Sequence, residues 1–90
     1  VFRAAADALA QHPAATSGRI VRHRVTNLER AGDLDTAGEV LHEHVERAWH
    51  QARDATRTLR DLELLDGKLE GLGLARHQRW RGEVLSSSRR

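Results

Sequence analysis

The chain has 90 residues: 39% are apolar, 31% charged and 3% aromatic, with one Pro and no Cys. That size suits one small domain, and the missing cysteines exclude a disulfide scaffold, a thiolate zinc site and an iron–sulfur cluster. Fifteen basic residues against thirteen acidic ones leave a net charge of +2. No run approaches the ~20 apolar residues of a membrane span. No signal-peptide pattern opens the chain, so a cytoplasmic location is the default expectation.

Four helices are predicted in a single domain over 1–85. The first covers about 2–11, with Phe2, Ala5, Ala6 and Leu9 on one side. His12-Pro13 ends it, because the residue before a proline avoids helical backbone. The second covers 17–31, with the stripe Val21, Val25 and Leu28. Gly32 then acts as a C-terminal stop and Asp33 as the next N-cap. The third covers 34–66 and is the longest. Gly67, Gly71 and Gly73 separate it from a fourth helix over 74–85. Residues 86–90, Ser-Ser-Ser-Arg-Arg, read as a flexible basic tail. Alternating strand patterns are absent, and β-branched and aromatic residues are too few for a sheet.

The third helix carries the strongest periodic signal. Leu34, Ala37, Leu41, Val45, Ala48, Ala52, Ala55, Leu59 and Leu62 recur at steps of three and four, close to a heptad seam. A helix of about 33 residues spans roughly 50 Å. The second helix, about half as long, cannot cover it. The predicted fold is therefore all-α: an antiparallel helical hairpin in a small bundle, with one long central helix completed by oligomerisation. A homodimer is favoured. Its interface residues are Leu41, Val45, Ala48, Trp49, Ala52, Ala55, Leu59 and Leu62. The function expected from such a seam is non-enzymatic protein–protein interaction: an adaptor, a scaffold or a small regulatory subunit.

Charge is segregated along the chain. Residues 1–31 hold five arginines against two acids, residues 33–70 five basic residues against ten acids, and residues 71–90 five arginines against one acid. Antiparallel packing would lay the basic second helix on the acidic third, fixing register. The alternative function uses the same arginines. Arg19, Arg22, Arg24, Arg76, Arg79 and Arg81 would bind phosphates of a nucleic acid. Val25 to Gly32 resembles the end of a winged-helix recognition helix. One short helix precedes it where that fold needs two, and no wing strands follow.

A second alternative is a metal site on the polar face of the long helix. Glu39, His42, Glu43, Glu46 and His50 lie close together on a helical wheel, and Glu39-x-x-His42 has the spacing of carboxylate-bridged di-iron bundles. That face lies opposite the apolar seam, so solvated carboxylates are the expectation and no cofactor is implied. No nucleophile–base pair or phosphate-cradling glycine loop supports an enzyme, and no catalytic residue is assigned.

Two short matches have a family counterpart. Gly32-Asp33-Leu34-x-x-Ala37, with Leu28 before it, resembles the mid-repeat turn of tetratricopeptide hairpins. A similar turn occurs in the coiled-coil middle domain of Clp-type disaggregases. His42-Glu43-x-x-Glu46-x-x-Trp49 resembles the signature of a small all-helical family of unknown function. Each resemblance implies a helical hairpin and assigns no activity.

Overall fold

The computed structural model describes residues 1–14 and 17–88. Five α-helices are present among them and no strand: α1 (Phe2–Ala10), α2 (Gly18–Arg30), α3 (Leu34–Ala52), α4 (Ala55–Leu62) and α5 (Gly71–Ser88). A 3₁₀ turn, Glu63–Leu65, follows α4. The all-α expectation is correct, and the expected positions of α1 and α2 hold to within one residue at each end.

The hairpin between α2 and α3 forms as its sequence predicts. Ser17 opens α2, its hydroxyl accepting from Ile20 N–H. Val21, Val25 and Leu28 form the buried stripe. Gly32 takes a φ of +81°, a conformation glycine adopts without steric cost. The Gly32 and Asp33 N–H groups donate back to the carbonyls of Glu29 and Leu28. These are the two bonds of a Schellman stop. The Asp33 carboxylate then accepts from Thr36 N–H and starts α3. On the other side, α1 lies against α2, with Ala6 fully buried and the Arg30 guanidinium 5.7 Å from the Phe2 ring centre. An Arg3–Asp33 ion pair ties α1 to the hairpin turn.

The expected long helix over 34–66 is corrected. It is interrupted after Ala52. Arg53 adopts a left-handed backbone (φ 51°, ψ 32°), and its N–H still bonds to the Trp49 carbonyl. Asp54 starts a new helix: its side chain accepts from Arg57 N–H at 3.1 Å. Thr58 Oγ1 donates to the Asp54 carbonyl at 2.8 Å. The break changes what the seam does. In one straight helix, Leu41 and Leu62 would stand roughly 30 Å apart. Here they share one core with Val21, Val25, Leu28, Ala37, Val45, Leu65 and Leu69. The whole molecule is 43 Å in its longest dimension, shorter than the ~50 Å of the uninterrupted helix.

The C-terminal segment is also corrected. Helix α5 begins at Gly71 and runs through Ser88, so the expected tail is largely helical; Arg89 and Arg90 lie outside the described residues. Val84 is fully buried, and Leu74 and Trp80 pack partly against the core. Leu69, just before α5, seats against α3 where Gly38 leaves room. A Cβ on Gly38 would meet Leu69 Cδ2 at 3.3 Å, tighter than ordinary packing. No helix among the described residues is long and apolar enough to cross a membrane.

The break makes a prediction about Leu62. Its side chain is fully buried within one chain, so Leu62→Ala should cost about 2–5 kcal/mol in chemical denaturation. The unfolding midpoint should not change with protein concentration. A midpoint that falls on dilution would place Leu62 at a subunit interface instead.

Candidate functional site

A concave feature lies between α2 and α4. It is a cleft of about 740 Å³ bordered by Arg19, Arg22 and His23 from α2 and by Arg57, Arg60 and Asp61 from α4, with Asp54 at the start of α4. Local sequence explains the crowding of guanidinium groups. Arg19 and Arg22 are three apart on α2, and Arg57 and Arg60 are three apart on α4, so each pair shares a helix face. Helix α4 reaches α2 because the chain reverses at Arg53–Asp54. The Arg57 guanidinium comes close to the start of α2, 3.7 Å from where a Gly18 Cβ would stand, an ordinary packing distance.

Both carboxylates of the cleft are already engaged. Asp54 caps α4 through Arg57 N–H. Asp61 is 2% exposed. Its Oδ1 accepts from Arg22 Nε at 2.8 Å and also from the second arm of the same guanidinium. His44 Nε2 donates to its Oδ2 at 3.3 Å. Burial opposes the ionised form of Asp61. The hydrogen bonds and charges of His44 and Arg22 outweigh it and hold the carboxyl below its ordinary value of 3.8. Arg19, Arg57 and Arg60 make no ion pair among the described residues. The cleft thus carries four guanidinium groups against two carboxylates, an excess of positive charge. Its geometry suits a planar carboxylate or a phosphoryl oxygen, each of which a guanidinium fork can bind through two N–H groups.

A second concavity has a different character. A groove of about 480 Å³ between α3 and α5 is lined by Glu39, Glu43, Glu46 and Glu83, together with Arg76, Arg79, His42 and Trp80. The six arginines singled out by sequence are therefore not gathered. Arg19 and Arg22 line the cleft, Arg76 and Arg79 stand among glutamates, and Arg81 pairs with Asp66 at 3.1 Å. Arg24 borders neither concavity. Of the α2 arginines, Arg22 pairs with Asp61 of α4. Sequence reasoning missed Arg57 and Arg60, which belong to the stretch richest in acids. The signal that would have found them is Asp54-x-x-Arg57, a cap position inside a supposed helix interior.

The metal candidates are likewise dispersed. Glu39, Glu43, Glu46 and His50 are exposed, as the wheel predicted, while His42 is turned inward and bonds to His77. Among the described residues no three His, Cys, Asp or Glu side chains converge where they could hold a metal ion. The expected interface residues divide too. Leu41, Val45, Trp49 and Leu62 are buried within the chain, Ala48, Ala55 and Leu59 are half-buried, and Ala52 is exposed. The Trp49 ring is covered by the Arg53 guanidinium, 5.2 Å from its centre. Three of the four largest members of the seam, Trp49, Leu41 and Leu62, are thus enclosed before any partner arrives. No protein-family model, curated protein or solved structure matches the chain.

Asp61 is the testable centre of the cleft. Asp61→Asn should cost about 2–4 kcal/mol at neutral pH. A broken buried pair leaves its partners uncompensated, and exposure of Arg22 lowers the figure. Because the folded carboxyl sits below its ordinary value, its contribution is complete above pH 3.8. It disappears as pH falls through the folded value. Denaturation of wild type and variant should therefore differ at pH 7 and converge in acid.

Proposed function

We propose that this chain is a non-enzymatic helical interaction module that takes an acidic segment of a protein partner into the cleft between α2 and α4. The observation that carries this reading is the set of four guanidinium groups around a cleft whose two carboxylates are already hydrogen-bonded to the protein. Helical positions on both walls hold the arginine stems on rigid supports. An incoming carboxylate would meet guanidinium groups already gathered from two helices, with the ordering of the exposed arginine side chains offsetting part of the gain.

Two features favour an acidic peptide over a nucleic acid. Arg76 and Arg79 share their groove with four glutamates, which would repel a phosphate backbone. Among the described residues no Phe, Trp or Tyr lines the cleft, so a single-stranded base meets no such aromatic platform there. The apolar seam that motivated self-association is packed within the chain, so a homodimer along that seam is not part of this reading.

The test is fluorescence anisotropy with a labelled ten-residue glutamate-rich peptide, a neutral control peptide and a labelled oligonucleotide. The glutamate-rich peptide should bind, and Arg57→Glu with Arg60→Glu should weaken it at least ~10-fold, a change of about 1.4 kcal/mol. Raising the salt should weaken it further, as expected for largely exposed charges. Equal binding by the charge-reversed variant would remove the cleft from the interaction. Tighter binding of the oligonucleotide, with a steep logarithmic dependence on salt, would establish the nucleic-acid reading instead.

A further inference from the structure

The interface between α3 and α5 contains two buried histidines in direct contact. His42 and His77 are 3% and 2% exposed, with ring centres 5.3 Å apart. His42 Nε2 lies 3.1 Å from His77 Nδ1. On its other side, His77 Nε2 lies 2.7 Å from Asp66 Oδ1, and Arg81 donates to Asp66 Oδ2 at 3.1 Å. The four side chains form one continuous hydrogen-bonded row.

The row constrains where protons can sit. An ionised carboxylate only accepts, so His77 Nε2 carries a proton. Between the two rings one nitrogen donates and the other accepts, so the contact holds a single proton. If both rings were imidazolium, two N–H groups would point at each other across 3.1 Å in a site closed to water. The neighbouring charges pull in both directions. On α3, Asp35, Glu39, Glu43 and Glu46 line the grooves beside His42. Glu70 and the α5 residues Arg76, Arg79 and Glu83 line them from the other side. The carboxylates favour a charged His42. Burial opposes it most strongly, followed by the charges of His77 and Arg76. Together these hold its pKa down to about 4, against an ordinary value of 6.5.

We propose that the His42–His77 contact is a proton-operated latch, which pins α5 to α3 while the pair holds one bridging proton and releases α5 when both rings are protonated. Several features make α5 the segment that leaves. It is the terminal helix of the described fold, and it carries Gly73 and Gly82, each a cost to helix stability. Its only fully buried apolar side chain is Val84. The cleft between α2 and α4 takes no residue from α5, so the latch and the binding surface stand or fall separately.

The direction of the pH effect follows from the lowered value. The released ring binds a proton more readily than the docked one. Docking is therefore strongest above about pH 6.5, weakens as pH falls toward 4, and levels off below. The test is amide hydrogen exchange by NMR from pH 7.5 to 3, corrected for intrinsic exchange, with the imidazole protons titrated in the same samples, the informative window being pH 6.5 to 4. The opening constant of α5 amides should rise by up to about tenfold per pH unit inside that window, while α2 amides stay closed. His42 should titrate near 4, a readout that needs no variant. His42→Gln should flatten the pH dependence of α5. Titration of His42 near 6.5, opening of α2 together with α5, or an unchanged slope in His42→Gln would each overturn the latch.

Discussion

The structure depends on one reversal of the chain at Arg53–Asp54. Without it, the apolar residues from Leu34 to Leu62 form one face of a rod, and most of that face has nothing to pack on within the chain. With it, α4 folds back and returns Leu62, Leu65 and Leu69 to the core of the α2–α3 hairpin. Two local interactions make the turn: the left-handed backbone of Arg53 and the Asp54 cap on Arg57 N–H. A non-glycine residue in left-handed backbone costs roughly 1–2 kcal/mol. Burial of Leu62 alone is worth about 1.5–3 kcal/mol, so the folded-back core outweighs the strain.

The same reversal creates the chemistry of the molecule. Asp61 reaches Arg22 and His44 only because α4 lies beside α2 and α3. Those contacts satisfy a buried carboxylate that would otherwise be costly. They also fix Arg22 at the edge of the cleft, where Arg19, Arg57 and Arg60 add charge without an ion-pair partner among the described residues. Elsewhere, the row from His42 through His77 and Asp66 to Arg81 ties α5 to α3. Ion pairs and polar contacts thus join helices that are distant in sequence. The exposed glutamates of α3 line the groove between α3 and α5.

Much of the fold was legible in the sequence, and the reasons differ by element. Gly32-Asp33 combines a positive-φ glycine with an N-cap aspartate, so the hairpin turn could be read from two residues. The buried stripe Val21, Val25 and Leu28 followed from periodicity alone. The break at Arg53 was hidden because the spacing of apolar residues continues through it: Ala52, Ala55, Leu59 and Leu62 keep the rhythm of a single helix. Neither Gly nor Pro marks the site, and arginine rarely adopts left-handed backbone. The candidate site was only half legible for the same reason. Arg19 and Arg22 could be named from the basic second helix. Arg57 and Arg60 join them only through a turn the sequence conceals. His42 sits next to the exposed glutamates on a helical wheel, and its inward position depends on α5, whose docking leaves no periodic signal.

The most direct measurement of this account is the proximity of His44 and Asp61. They are hydrogen-bonded at 3.3 Å, whereas 17 residues of uninterrupted helix would separate them by about 25 Å. Nuclear Overhauser contacts between the His44 ring protons and the Asp61 β-protons should therefore appear, and isotope-filtered spectra of mixed labelled and unlabelled protein should assign them to one chain. Helical chemical shifts running unbroken through residues 53 and 54, with these contacts absent or found only between chains, would contradict the reversal and restore the long-helix dimer.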